Sequence, residues 1–154
     1  MRSKSRFALL LAAVAFAASV PARASLGGDT ASVRDDQAKL QGALQTTTNG
    51  TYTVHEIQAA SGIVVREYVS PSGAVFAVTW HGPRHPDLRQ VLGAYFDPFT
   101  QAVQAQRAVR HGLGPRVIQQ AGFTVVLSGH MGALSGTAYL PQSFPAGIRA
   151  EEIR

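Results

Sequence analysis

Three runs, Tyr52 to Gln58, Ile63 to Val69 and Ala74 to Trp80, are dense in β-branched and aromatic residues and read as strands. Ala60-Ser61-Gly62 separates the first two. Ser70-Pro71-Ser72-Gly73 separates the last two as a hairpin turn, in which Pro71 presets φ and Gly73 takes the left-handed conformation. The first two runs mix polar and apolar residues, as strands with one wet face do. Arg66 and Glu67, adjacent in the second run, must send their side chains to opposite faces. The third run is apolar on both faces and is expected in the middle of a sheet that is covered on both sides.

Helical patterns flank this meander. Ser32 followed by Asp35 resembles a capping box and predicts a helix from about Val33 to Leu44, with Val33, Leu40 and Leu44 on one face. Thr46 to Gly50 reads as a polar breaker. After the meander, Gly82-Pro83-Arg84-His85-Pro86 interrupts the strand, and Pro86 with Asp87 marks a helix start. Leu88, Val91, Leu92, Tyr95 and Phe96 then form the clearest amphipathic stripe in the chain. Asp97-Pro98 repeats the start signal for a surface helix that reaches about Arg110 on a weak face of Phe99, Ala102, Val103 and Val109, and His111-Gly112 stops it.

Arg116 to Gln120 predicts a short edge strand, and Phe123 to Ser128 with Leu134 to Leu140 a hairpin around Gly129-His130-Met131-Gly132. Small residues dominate that hairpin and permit close approach of another element or a ligand. Pro141 ends the last strand, and Ser143 to Gly147 with the charged end reads as an irregular tail. The fold class is α+β: an N-terminal helix, an antiparallel three-stranded meander, two helices and a C-terminal β-hairpin in a single small domain.

The first residues change the picture of where this domain works. Arg2, Lys4 and Arg6 precede an apolar stretch from Phe7 to Val20, and Ala22-Arg23-Ala24 supplies small residues for cleavage. The reading is a signal peptide over residues 1–24, cut after Ala24, followed by a domain over residues 25–154. The stretch is shorter than the roughly 20 apolar residues of a membrane span. The chain is therefore expected to be exported, periplasmic or secreted, with no membrane anchor once the leader is removed. Ser25 to Thr30, with Gly27 and Gly28, reads as a flexible start.

Four of the 14 basic residues lie in that leader and none of the nine acids do, so the mature chain is nearly neutral. Its one lysine, Lys39, and scattered arginines do not form the clustered basic surface that a phosphate backbone requires, and nucleic acid is excluded as an expected partner. The chain has no cysteine, hence no disulfide, no thiolate nucleophile and no cysteine for lipid attachment.

Candidate chemistry rests on isolated residues. His55-Glu56 opens like a zincin motif, but Ala59 stands where the second histidine is needed, and the dipeptide lies in a strand. His81 and His85 flank prolines that rule out one helical face, leaving a loop site with Asp87 or His130 as an open alternative to a solvated turn. Ser128 and His130 with Asp87 supply the ingredients of a serine hydrolase without a nucleophile elbow, since Val126 stands two before Ser128. Arg66 offers a bidentate clamp for an anion. The candidate ligand-binding residues are thus Arg66, His81, His85, Asp87, Ser128 and His130. No catalytic residue, metal ligand or cofactor is assigned.

Several runs carry a family likeness: Val65-Arg66-Glu67-Tyr68; Val75 to Pro83 with Pro86-Asp87-Leu88; Leu92-Gly93-Ala94-Tyr95-Phe96; and Ser128-Gly129-His130-Met131 with Ala138-Tyr139-Leu140-Pro141. As a set they resemble DUF2844, a family of small exported proteobacterial proteins of unknown function, across nearly all of the mature chain. The resemblance implies export and no assigned activity. The expected function is a non-catalytic binding or envelope assembly factor that presents a sheet face or edge to a protein, a peptide or a cell-envelope polymer. The alternative is a metal-dependent or hydrolytic periplasmic enzyme using His81, His85, Asp87 and His130.

Overall fold

The computed structural model describes residues 26–109 and 115–153. The leader over residues 1–24 and the helix stop at His111-Gly112 lie outside the described residues. Helix α1 spans Thr30–Leu40, followed by strands β1 (Gly42–Thr48), β2 (Thr53–Ala59), β3 (Val64–Val69) and β4 (Val75–Gly82). Helix α2 (Leu88–Leu92) runs through a short 3-10 turn into α3 (Phe96–Val109), and β5 (Arg116–Gln119), β6 (Thr124–His130) and β7 (Ala133–Tyr139) complete the chain. All seven strands join one antiparallel sheet in the order β1-β2-β3-β4-β7-β6-β5.

The first helix differs from expectation at both ends. Asp29, not Ser32, is the N-cap and accepts from the Ser32 amide at 3.0 Å, while Gln41 closes the helix in the left-handed conformation. Residues beyond Leu40 leave the helix because Thr46-Thr47-Thr48 is β-branched and Asn49-Gly50 turns the chain back. The meander thus has four strands, and the Thr46 to Gly50 breaker is the end of a strand and its turn. Asn49 donates to the Tyr52 carbonyl at 3.1 Å, and Gly50 supplies the positive φ of 84° that a tight hairpin needs.

The segment expected as a flexible start is not loose either. Leu26 is 2% exposed in the core, and Gly27 and Gly28 exchange backbone hydrogen bonds of 2.9 Å with Val75. The two later helices meet at the 3-10 turn Gly93–Tyr95 rather than at Asp97-Pro98, and Asp87 caps α2 by accepting from Arg89 at 2.9 Å. Pro98 falls in the first turn of α3, where its missing N–H costs nothing.

The helices cover one face of the sheet. That inner face holds the main core, in which Val65, Val69, Val78, Trp80, Val125 and Ala138 meet Val33, Val91, Leu92 and Phe99. The indole of Trp80 lies over its cross-strand neighbour Gly136, where an added Cβ would fall inside the ring. This is the close approach that the small residues of the last hairpin permit.

Strand β4 is buried along Val75 to Trp80, as its doubly apolar pattern requires. A register shift between Tyr68 and Val69 leaves Phe76 as an extra residue, so Phe76 and Ala77 both turn to the outer face. The C-terminal segment covers them there. Phe144, Ile148 and Ile153 pack with Tyr68 and Phe76, the Phe76 and Phe144 rings 5.1 Å apart. The tail is therefore a second-face lid with two 3-10 turns, Pro141–Ser143 and Ala150–Glu152.

Candidate functional site

Strand β1 is one margin of the sheet. Among the described residues it pairs with β2 alone, through a register running from Gly42↔Ala59 to Thr48↔Thr53. An antiparallel ladder alternates hydrogen-bonded and non-bonded pairs. Counted from the Asn49–Tyr52 bond, Leu44, Thr46 and Thr48 turn their N–H and C=O groups outward. The Gly42 carbonyl already accepts from the Gln37 side chain at 3.4 Å. The strand carries no charge, no proline and no bulge, the devices that blunt exposed edges.

Beside this edge the outer face forms a cleft of about 340 Å³, lined by Gln45 and Thr47 from β1, Tyr52, Glu56 and Arg66 beyond them, and Glu152 from the C-terminal turn. Arg66 is not an open clamp. Its Nε donates to Glu56 Oε2 at 2.6 Å, and Gln58 Nε2 donates to Glu56 Oε1 at 2.7 Å. These two donors hold the Glu56 carboxyl below its ordinary pKa against a small opposing effect of burial.

The remaining candidates sit on different parts of the fold. His81 is exposed on the outer face of β4, in one cross-strand row with Ser135 of β7 and Ser128 of β6. The Ser128 and Ser135 hydroxyls are 2.8 Å apart, while His81 and Ser128 are two strand spacings from each other, roughly 10 Å. His85 lies toward the inner side, where its Nδ1 accepts from Trp80 Nε1 at 3.0 Å, and burial lowers its pKa. Asp87 is engaged as the α2 cap. His130, at the hairpin tip, places Nδ1 3.2 Å from the Met131 carbonyl. His81, His85 and His130 are not brought together, and among the described residues no group of three His, Cys, Asp or Glu side chains is placed to hold a metal ion.

The inner face carries a polar cluster that pattern reading passed over. Asp36 of α1 and Glu67 of β3 are 2% and 1% exposed and hydrogen-bond each other, and Gln90 of α2 donates to Asp36 Oδ1. Burial first, then the bond and charge of Asp36, push the Glu67 pKa up to about 9. Glu67 therefore keeps its proton at neutral pH and donates it to the Asp36 carboxylate, and its Oε2 has no hydrogen-bond partner. His55 stands directly opposite Glu67 in the β2–β3 register, its Nδ1 2.9 Å from Thr46 Oγ1, and burial lowers its pKa. The signal for this cluster was available: Glu67 occupies the inward position between Val65 and Val69.

The geometry defines a small α+β protein built on one antiparallel sheet, capped by helices on one face, closed by its own C-terminal segment on part of the other, and open along β1. The chain matches the family described as Protein of unknown function (DUF2844) over residues 22–153 and belongs to it. No curated protein and no solved structure matches the chain. Among the described residues no helix is long and apolar enough to cross a membrane.

Proposed function

We propose that this chain is an exported, non-catalytic binding protein that takes an extended polypeptide segment of a partner onto the free edge of β1. The observation that carries the reading is the run of outward backbone groups at Leu44, Thr46 and Thr48 on an uncharged, proline-free margin. Strand addition uses such groups for affinity and pockets for alternate side chains for specificity. The outer-face cleft lies where every second side chain of an added strand would project, and its Glu56–Arg66 pair offers both signs of charge to a polar residue. Export is supported by the leader pattern in the sequence.

The reading is tested by panning a library of linear peptides against the mature chain and mapping the selected peptides by amide chemical shifts. Shifts centred on Leu44, Thr46 and Thr48, with affinity at least about tenfold weaker in Thr48→Pro, are expected. That substitution blocks an outward N–H without removing a β1–β2 ladder bond. Peptides that map to β5 instead, or an absence of selected binders, would refute it. A dimer in sedimentation that Thr48→Pro dissociates would replace the partner with a second copy of the chain.

A further inference from the structure

At the opposite margin of the sheet, a groove of about 300 Å³ opens between α3 and the β5–β6 pair. Its walls are Leu88, Phe99, Val103 and Leu127, and Arg107 and Arg116 stand at its border. Arg116 and Leu127 are directly paired across β5 and β6, so a guanidinium abuts the apolar floor. Among the described residues neither Arg107 nor Arg116 is paired with a carboxylate, unlike Arg66 with Glu56 and Arg89 with Asp97.

An apolar trough beside two uncompensated cations matches one kind of occupant, an amphiphile whose tail displaces water from the walls and whose anionic head takes both guanidiniums. Ligand pockets span about 300–1,000 Å³, and this groove lies at the lower limit. A two-tailed lipid is too large for that space, whereas a single acyl chain suits it. Planar, forked guanidiniums suit a carboxylate held by two parallel bonds. We propose that this groove is a binding site for a free fatty acid, independent of the β1 edge.

Dodecanoate, below its micellar concentration, is the probe, added to the mature chain and followed by calorimetry and amide shifts. Saturable binding is expected, with shifts at Phe99, Val103 and Leu127. Arg107→Glu with Arg116→Glu should weaken it by about tenfold or more, a change of head-group recognition that 1-dodecanol would mimic in the unaltered chain. Val103→Trp, which fills the trough and leaves both arginines in place, should abolish it. Circular dichroism shows whether each variant folds, and the arginine pair, being at the surface, serves if Val103→Trp does not. Absence of saturable binding, equal affinity for dodecanol and dodecanoate, or indifference to the arginine substitutions would overturn the proposal.

Discussion

Glu56 and Glu67 sit in adjacent strands of one sheet, and Arg66 stands beside Glu67 in sequence, yet the two glutamates are opposite chemical objects. Glu56, on the outer face, accepts from Arg66 at 2.6 Å and from Gln58 at 2.7 Å and ionises more readily than a free glutamate. Glu67, on the inner face, is 1% exposed under α1 and holds its proton to about pH 9. Hydrogen bonds from Gln58 and from the Arg66 cation favour the charge in one case, and burial beside a second carboxyl opposes it in the other. Which face a residue occupies, set by strand parity alone, decides its protonation state.

The largest effects should come from the inner face, where Trp80 fills the space above Gly136. Trp80→Ala should cost about 3–5 kcal/mol by urea denaturation, through lost burial and the cavity left behind. On the outer face Tyr52→Ala removes a half-buried ring that touches Tyr68 and Phe76 and should cost about 1–2 kcal/mol. Gly136→Ala should cost about 1–3 kcal/mol in the native chain and nearly nothing alongside Trp80→Ala, because the ring it strikes is then absent. Additive costs in that double-mutant cycle would mean that the two residues do not share the contact.

Much of this contrast was legible in the sequence. Alternation placed Arg66 and Glu67 on opposite faces, and the doubly apolar run from Ala74 to Trp80 required cover on both sides. The cover itself was not legible. Phe144, Ile148 and Ile153 are spaced by prolines, glycines and charges with no period, and their contacts are made across the fold. Strand β1 was hidden for a different reason: Leu40 and Leu44 fit a helical stripe, which masked the β-branched Thr46-Thr47-Thr48 and the Asn49-Gly50 turn signal. Of the six candidate binding residues, Arg66 alone borders the cleft beside the proposed edge, because side-chain type carries no information about convergence.

A second experiment sharpens the difference in protonation. Glu67 has a raised folded-state pKa, so folding binds a proton that the unfolded chain releases above its ordinary value of 4.5. Its contribution is fully present below that value and is lost as pH rises toward about 9. Stability should therefore fall with pH across this window, by at most about 1.4 kcal/mol per pH unit from this one group. Glu67→Gln keeps a donor for Asp36 and has no proton to lose. It should flatten the slope and gain up to about 4–5 kcal/mol at pH 8, with the difference vanishing near pH 4.5. An unchanged slope in that variant would show that Glu67 is already ionised in the folded chain.

The smallest effect is expected at Glu56, and its size distinguishes an exposed ion pair from a structural one. The Glu56 and Arg66 side chains are 21% and 34% exposed, so solvent and salt screen their attraction. Glu56→Gln should cost less than about 1 kcal/mol near neutral pH and still less at high ionic strength. Because its folded pKa is lowered, the stabilisation it gives is present above pH 4.5 and disappears as pH falls through the lower folded value. The pH dependence of Glu56→Gln relative to the native chain should thus run opposite to that of Glu67→Gln. A loss well above 1 kcal/mol that persists in high salt would mean that the outer face buries this pair and that the cleft beside β1 is part of the core.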